Sequence, residues 1–248
     1  HGVTLTSTSQ TATYTTASFT PAVDDLLVAL AVVTATADAG AMSDSLGGGW
    51  TQVTTALKNT SADKLWCFIR NALSTGAALT VTMDVTGDNG TGCVLFVARV
   101  SGMTKTGNSG AAKQSGVLNN QTFNIPEPTF AAAVLTSNPT LGFVANPTNP
   151  ATLTPPTAWT EQADVGYNTP ATGGEYVSRA SGFTGPTISW GNTSAPFGAI
   201  IVARATSGGV TAIGDTIRAI WHVRAAPGDT VRPIWHVRAN LADTVRAV

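Results

Sequence analysis

Apolar residues in this chain arrive in short runs, and polar or turn-forming residues close each run. No long window places apolar side chains at i, i+3, i+4 and i+7 among good helix formers, so helices are not predicted. Runs rich in Val, Ile, Thr and aromatics, bounded by Gly, Pro, Asn, Asp and Ser, recur throughout instead. They predict strands near 3–7, 26–34, 51–56, 64–71, 79–84, 93–100, 121–125, 140–145, 160–165, 175–180, 187–190 and 198–205. "LLVALAVV" (Leu26–Val33) and Cys93–Val97 are apolar on both faces. They are expected to be central strands covered on each side, or strands that face another subunit. "LTVTMDVTGDNGTG" alternates and then turns, as a half-exposed strand does. Many strands with short turns predict an all-β fold, a jelly-roll-like antiparallel β-sandwich.

A weak internal duplication runs through the first 206 residues. "LLVALAVV", "GGGWTQV", "LWCFIRN", "LTVTMDVT" and "VLFVARVSG" follow one another from 26 to 102. "PTLGFVAN", "PTAWTEQ", "GEYVSRAS", "PTISWGNT" and "AIIVARATSG" follow in the same order from 139 to 208. Trp50 aligns with Trp159 and Arg99 with Arg204. The expectation is two similar halves, about 19–102 and 128–206, interleaved as two facing sheets in one body, 1–206. Neither half would bury its apolar face alone.

Past Ser207 the pattern changes. Gly214–Pro227 and Gly228–Leu241 are 14-residue units of near-identical sequence, and Ala242–Val248 begins a third. Within a unit the alternation is strict. Ile217, Trp221 and Val223 share one face with Ala219 and Ala225, and Arg218, Arg224 and His222 share the other. The second unit repeats this with Val231, Trp235 and Val237 against Arg232 and Arg238, and Val245 restarts the apolar face. An isolated ribbon of two or three strands is marginal in water, and its edges carry unpaired backbone groups. Residues 207–248 are therefore expected to form a docking arm. Its assembly interface would be Ile217, Arg218, Trp221, Val223, Arg224, Val231, Arg232, Trp235, Val237, Arg238 and Val245.

Composition changes this picture little. Charged residues make up 11% of the chain, below the roughly 25% of an average globular protein, yet 43% apolar content suffices for a core. The net charge of −1 creates no basic field, so nucleic acid is not an expected partner. No run approaches the roughly 18 apolar residues of a membrane-crossing helix, so a membrane partner is not expected either. Charge is uneven: residues 207–248 hold five Arg and three Asp, and the remainder holds eight basic and eleven acidic residues.

Catalytic signals are sparse. His222 and His236 are equivalent repeat positions, and two histidines alone do not complete a metal site. Cys67 and Cys93 sit in apolar runs and read as buried thiols rather than a cross-strand disulfide. A glycosidase needs two carboxylates across a cleft; Asp84 and Glu175 lie in predicted strands, but no clustered acid pair is evident. Trp50, Trp66, Trp159 and Trp190 recur in register and read as core residues rather than a sugar-stacking platform. No enzyme activity, cofactor or metal is expected.

"SFTPAVDDLLVALAVV…GGGWTQV…LWCFIRN…LTVTMDV…VLFVARVSG" followed by "NPTLGFVAN…TPPTAWTEQADVGYNTP…ISWG" resembles β-sandwich structural proteins of tailed bacteriophages, of head-decoration or appendage type. The "DT(I/V)R(A/P)IWHVRA" units are similar to short Trp-x-Val-Arg-Ala repeats of phage virion proteins. The resemblance implies a virion location and a structural role, with partners in neighbouring copies, as a homotrimer, and in other virion proteins such as the major capsid protein. It implies no catalytic residues. The short array, two and a half units, favours a compact attachment arm over a long fibre shaft. The rival expectations are a tail-fibre or receptor-binding appendage that binds glycans, and a secreted carbohydrate-binding module.

Overall fold

A computed structural model of the 248-residue chain describes residues 1–34, 40–58, 63–85, 90–102, 112–121, 126–146, 153–181, 183–191 and 197–204. Residues 1–207 form one compact unit, and 208–248 a second that lies outside the described residues.

Every regular element among the described residues is a β-strand. In chain order they are β1 (Val3–Ser7), β2 (Thr13–Thr15), β3 (Leu26–Thr34), β4 (Gly40–Asp44), β5 (Trp50–Leu57), β6 (Lys64–Arg70) and β7 (Val81–Val85). There follow β8 (Gly92–Val100), β9 (Ala112–Gln121), β10 (Thr140–Asn146), β11 (Thr160–Asn168), β12 (Ala171–Arg179) and β13 (Phe197–Arg204). All named pairings are antiparallel. The fold is an all-β sandwich.

The first half builds a five-stranded sheet of order β1-β8-β3-β6-β5, and the second builds another of order β9-β13-β10-β12-β11. Strand for strand the two orders coincide. The halves therefore face each other as whole sheets and do not exchange strands, which corrects the expected interleaving. The register agrees too. Trp50 stands opposite Arg70 in β5–β6, and Thr160 opposite Ser178 in β11–β12, so Trp159 falls against Arg179. Both edge pairs then bulge at the same point, with Val53 extra between Gln52 and Thr54 and Gln162 extra between Glu161 and Ala163. A bulge is a specific local departure from the ladder, so its recurrence at matched positions marks the two halves as copies.

One part of the expected alignment shifts. Val28 pairs with Ile69 and Ala98, and Leu141 pairs with Ser178 and Val202. Ala98 thus corresponds to Val202, and Arg204 corresponds to Val100 rather than to Arg99. A one-residue slip in a strand moves a side chain to the opposite face. Arg99 lies on the outer side of its sheet, exposed, whereas Arg204 follows Ile200 and Val202 on the inner side and is fully buried.

Contacts at the sandwich edges are reciprocal. β5 lies against β9, and β1 lies against β11. Because β1 corresponds to β9 and β5 to β11, exchanging the halves reproduces the arrangement, as in an isologous two-fold interface. The close approach at one edge requires a glycine. A Cβ on Gly198 of β13 would stand 2.5 Å from the backbone oxygen of Leu57 in β5.

Three apolar layers result. The inner layer joins the two sheets through Leu26, Val28, Leu30, Val32, Leu65, Ile69 and Phe96 from one side, and Leu141, Phe143, Tyr176, Ile200 and Val202 from the other. Phe96 meets the Phe143 ring edge-on, with centroids 5.7 Å apart. The outer face of the first sheet packs Leu27, Trp66, Phe68, Leu95 and Val97 under a small sheet of order β2-β7-β4. The outer face of the second packs Val144, Val177 and Ile201 under Phe130, Phe183, Ile188 and Trp190 from connecting segments. All nine residues of β3 are consequently buried. This answers the double-sided apolar run of the sequence: the chain's own layers cover both faces. Each fully buried large aliphatic or aromatic side chain contributes roughly 1.5–3 kcal/mol.

β2, β4 and β9 escape the sequence pattern. The first two are short and rich in Thr, Ser and Ala, and β9 reads AKQSGVLNNQ, with little apolar alternation. Thr187–Trp190, expected as a strand, makes a single bridge from Thr187 to Thr129 and flanking backbone bonds to Pro126 and Pro128. The expected strand at 121–125 overlaps the end of β9 only at Gln121, and residues 122–125 lie outside the described ones.

Candidate functional site

All eleven expected interface residues, Ile217 to Val245, lie outside the described residues, as do His222 and His236. The remaining chemistry is in the body, where the polar groups of the two halves are disposed differently.

In the first half they close on one another. Asp44, at the end of β4, is a buried hub. Its Oδ1 accepts hydrogen bonds from the backbone N–H groups of Leu46 (2.9 Å) and Gly48 (3.1 Å). Its Oδ2 accepts from Trp50 Nε1 (2.9 Å) and Arg70 Nε (2.8 Å). Burial pushes the Asp44 carboxyl up, but the bonds from Arg70, Gly48 and Trp50 outweigh it and hold the group below the usual carboxylate range. Asp25, which follows the left-handed Asp24 (φ 66°), accepts from Ala22 N (2.9 Å) and Arg99 Nε (2.7 Å). Lys58 is fully buried, 3.0 Å from Asp63 Oδ2, and donates to Thr172 Oγ1 (2.7 Å) across the seam between the halves. Burial draws its pKa down, against the opposing pull of Asp63.

In the second half several polar groups are left open. Asp164 and Glu175 stand directly opposite each other on β11 and β12. Their counterparts in the first half are Thr55 and Trp66. Glu175 is fully buried, and among the described residues neither of its oxygens has a hydrogen-bond partner within 3.5 Å; the same holds for Asp164 Oδ1 and the nearby core atom Trp190 Nε1. Burial, then repulsion from Asp164 and Glu161, pushes Glu175 up to about 8; burial, then Glu161, pushes Asp164 up to about 7. Two carboxyls are thus brought together that the sequence reading did not pair. The available signal was the duplication itself, since aligning "LWCFIR" with "GEYVSR" sets Glu175 where the first half buries Trp66. Asp84, the other expected carboxylate, is in β7 of the small outer sheet, away from this pair.

A cleft of about 350 Å³ opens at one end of the seam. Tyr176, Gln162, Ser178 and Arg179 line it from the second half, and His1 and Arg99 from the first. Gln162 is the extra residue of the β11 bulge. The His1 ring stands 6.4 Å from that of Tyr176, and its Nε2 is 2.9 Å from Thr4 Oγ1. The Arg179 guanidinium lies 5.9 Å from the Phe183 ring centroid, a cation–π distance, and its Nε donates to Ser181 O (3.2 Å).

Two of the four body tryptophans are core residues, and the other two are partly buried beside them. Trp66 and Trp190 are 1% exposed, and Trp50 and Trp159 pack against the outer layers. Cys67 and Cys93 are free and buried, and burial pushes the Cys67 thiol up to about 12. Among the described residues no group of three or more His, Cys, Asp or Glu is placed to hold a metal ion. Comparison with protein-family models, curated proteins and solved structures returns no match.

Proposed function

We propose that this protein is a structural component of a tailed-phage virion, a capsid decoration or cement protein that docks through residues 207–248 onto neighbouring copies, as a homotrimer, and onto the major capsid protein. The observation that carries the reading is the self-sufficiency of the body. Its three apolar layers are covered by its own chain. Among the described residues only Val23, Leu46, Val117 and Leu135 are large exposed hydrophobics, and they are scattered in sequence. Single exposed apolar residues are ordinary on a protein surface and mark no interface. The repeat sequence is the opposite case: Trp221, Val223, Trp235 and Val237 recur on one face of units too short to cover that face themselves. An apolar face of this kind, repeated over many copies, stabilises a shell by mass action without any catalytic group.

Deleting residues 214–248 tests the reading. The truncated body is expected to melt within a few degrees of the full chain and to lose both self-association and particle binding, read by light scattering and co-sedimentation with shells. Normal occupancy of the particle by the truncated protein would refute it.

A further inference from the structure

Asp164 and Glu175 stand on an edge strand and its neighbour, and that edge is held unevenly. β11 pairs through its backbone with β12 alone, and its other flank lies against β1 without a ladder. Near its C-terminal end Tyr167 is buried, and its hydroxyl is hydrogen-bonded to Thr34 Oγ1 of the facing sheet at 3.1 Å. That bond ties this end of the strand to the first half. Along the preceding stretch, Thr160 and Glu161 are exposed, Gln162 is the extra residue of the bulge, and Ala163 and Val165 are only partly buried. A bulge interrupts the ladder locally, so this is the end of β11 that opens at least cost.

Opposed residues of an antiparallel pair share a face. Ala163 and Val165 belong to the inner layer, as does Tyr176, so alternation puts both Asp164 and Glu175 on the outer side of the second sheet. The groups around the pair do not neutralise it. On β11, Glu161 is a third acid and repels both carboxyls. On β12, Arg179 shares the face but lies beyond Val177, with its guanidinium over the Phe183 ring. On β10, Val144 stands opposite Glu175, and Asn146 follows it on the same face; both are uncharged. The covering segments bring the uncharged Trp190 Nε1–H and the exposed Glu127, which accepts a hydrogen bond from Ser189 Oγ (2.8 Å). Among the described residues neither Asp164 nor Glu175 belongs to an ion pair.

We propose that β11 is a pH-operated edge: when Asp164 and Glu175 are both ionised, the stretch from Thr160 to Val165 parts from β12, hinged at the Tyr167–Thr34 bond, and it closes again when the pair regains a proton. Parting the strands lets water reach both carboxyls, which removes the burial that holds Glu175 up to about 8 and Asp164 up to about 7. The closed form therefore binds more protons than the open form, so opening is favoured by rising pH and suppressed by falling pH. The open form bares the backbone edge of β12, on which another strand can pair. The device does not involve residues 207–248, so its failure would leave the assembly reading intact.

Hydrogen exchange of the full chain at pH 6 and pH 8.5, with rates corrected for the intrinsic effect of pH, tests the proposal. Protection of the amides from 160 to 165 is expected to fall by roughly tenfold or more between the two. The internal control is β5, the equivalent edge strand, which sets Thr55 against Trp66 where β11 and β12 set the two acids. Its protection is expected to change by less than about threefold. Each single variant, Glu175→Gln or Asp164→Asn, is expected to shrink the fall in β11, the first more than the second, and the double variant to leave β11 as insensitive as β5. No fall in β11, an equal fall in β5, or an undiminished fall in whichever of these variants folds would overturn the proposal.

Discussion

The two halves of the body share strand order, register, a tryptophan–arginine pair and a bulge, yet treat their charges in opposite ways. In the first half Arg70 meets Trp50 at the sheet edge, and Asp44 ties both down inside the protein. In the second half the equivalent Arg179 lies over the Phe183 ring, donates to the Ser181 carbonyl and borders a cleft rather than meeting a carboxylate supplied by an outer sheet. The small outer sheet supplies Asp44 from β4. The second half has irregular segments in that place, and two of its carboxyls, Asp164 and Glu175, face each other across a strand pair, where their repulsion adds to the cost of burial. A duplicated scaffold keeps its backbone pairing under strict control, because a slip would turn every side chain over. Charges at matched positions are not so constrained. The first half ties its buried charges to opposite charges, whereas the second sets two carboxyls against each other.

The comparison can be broken most directly at the first half's hub. Asp44→Ala leaves Arg70 buried without its carboxylate and is expected to cost about 3–5 kcal/mol in denaturant unfolding. Arg179→Ala, at the equivalent position, is expected to cost less than about 1 kcal/mol. Equal losses would mean that the halves are not different in the way described.

The next effect is on pH dependence, and its sign differs between the halves. Asp44 is held below its ordinary value, so its stabilisation is present above about pH 4 and is lost as acid protonates it. Glu175 and Asp164 are pushed above theirs, to about 8 and about 7, so the folded state holds protons that the unfolded state releases. Their penalty is absent below about pH 4, grows as pH rises, and levels off above about pH 8. Glu175→Gln is expected to raise unfolding free energy at pH 9 by roughly 2–3 kcal/mol and to flatten the slope between pH 5 and 8. A variant with the wild-type slope would show that Glu175 pairs with a cation after all.

The smallest expected change sharpens the comparison at Arg204, the counterpart of Val100. Among the described residues none of the three nitrogens of the Arg204 guanidinium has a hydrogen-bond partner, and burial draws its pKa down to about 10. Arg204→Met keeps the volume and removes the buried charge, so it is expected to stabilise the protein by about 1–2 kcal/mol. A loss of stability, measured by thermal melting, would imply a role for that charge beyond filling space.

Much of the fold is legible in the sequence because burial writes itself into composition. Leu26–Thr34 is apolar at nearly every position and is covered on both faces; Val3–Ser7 and Leu26–Thr34 have their expected boundaries. The strands that were not legible, β2, β4 and β9, are mostly polar; each gives a core layer an isolated apolar residue, Tyr14, Met42 or Leu118, and a single such residue makes no alternating pattern. The duplication was readable at Trp50 and Trp159, where bulky residues mark the register. It misled at Arg99 and Arg204, where "VAR" recurs one position out of step with the ladder. The cleft was not legible, because it depends on which residues of one sheet lie over those of the other. Ser178 and Gln162 are unremarkable in sequence, and His1 gives no sign that it will stand near Tyr176.

The pairing of two similar sheets within one polypeptide has a further consequence. Two separate chains that met through the same surface would drift apart when scarce, and any change in one would appear in its twin. Joined by a linker, the two sheets meet at an effective concentration that short linkers place around millimolar, however few molecules are present. Each sheet is also free to accept changes that its sister would not tolerate, so one can stay a foundation while the other is remodelled.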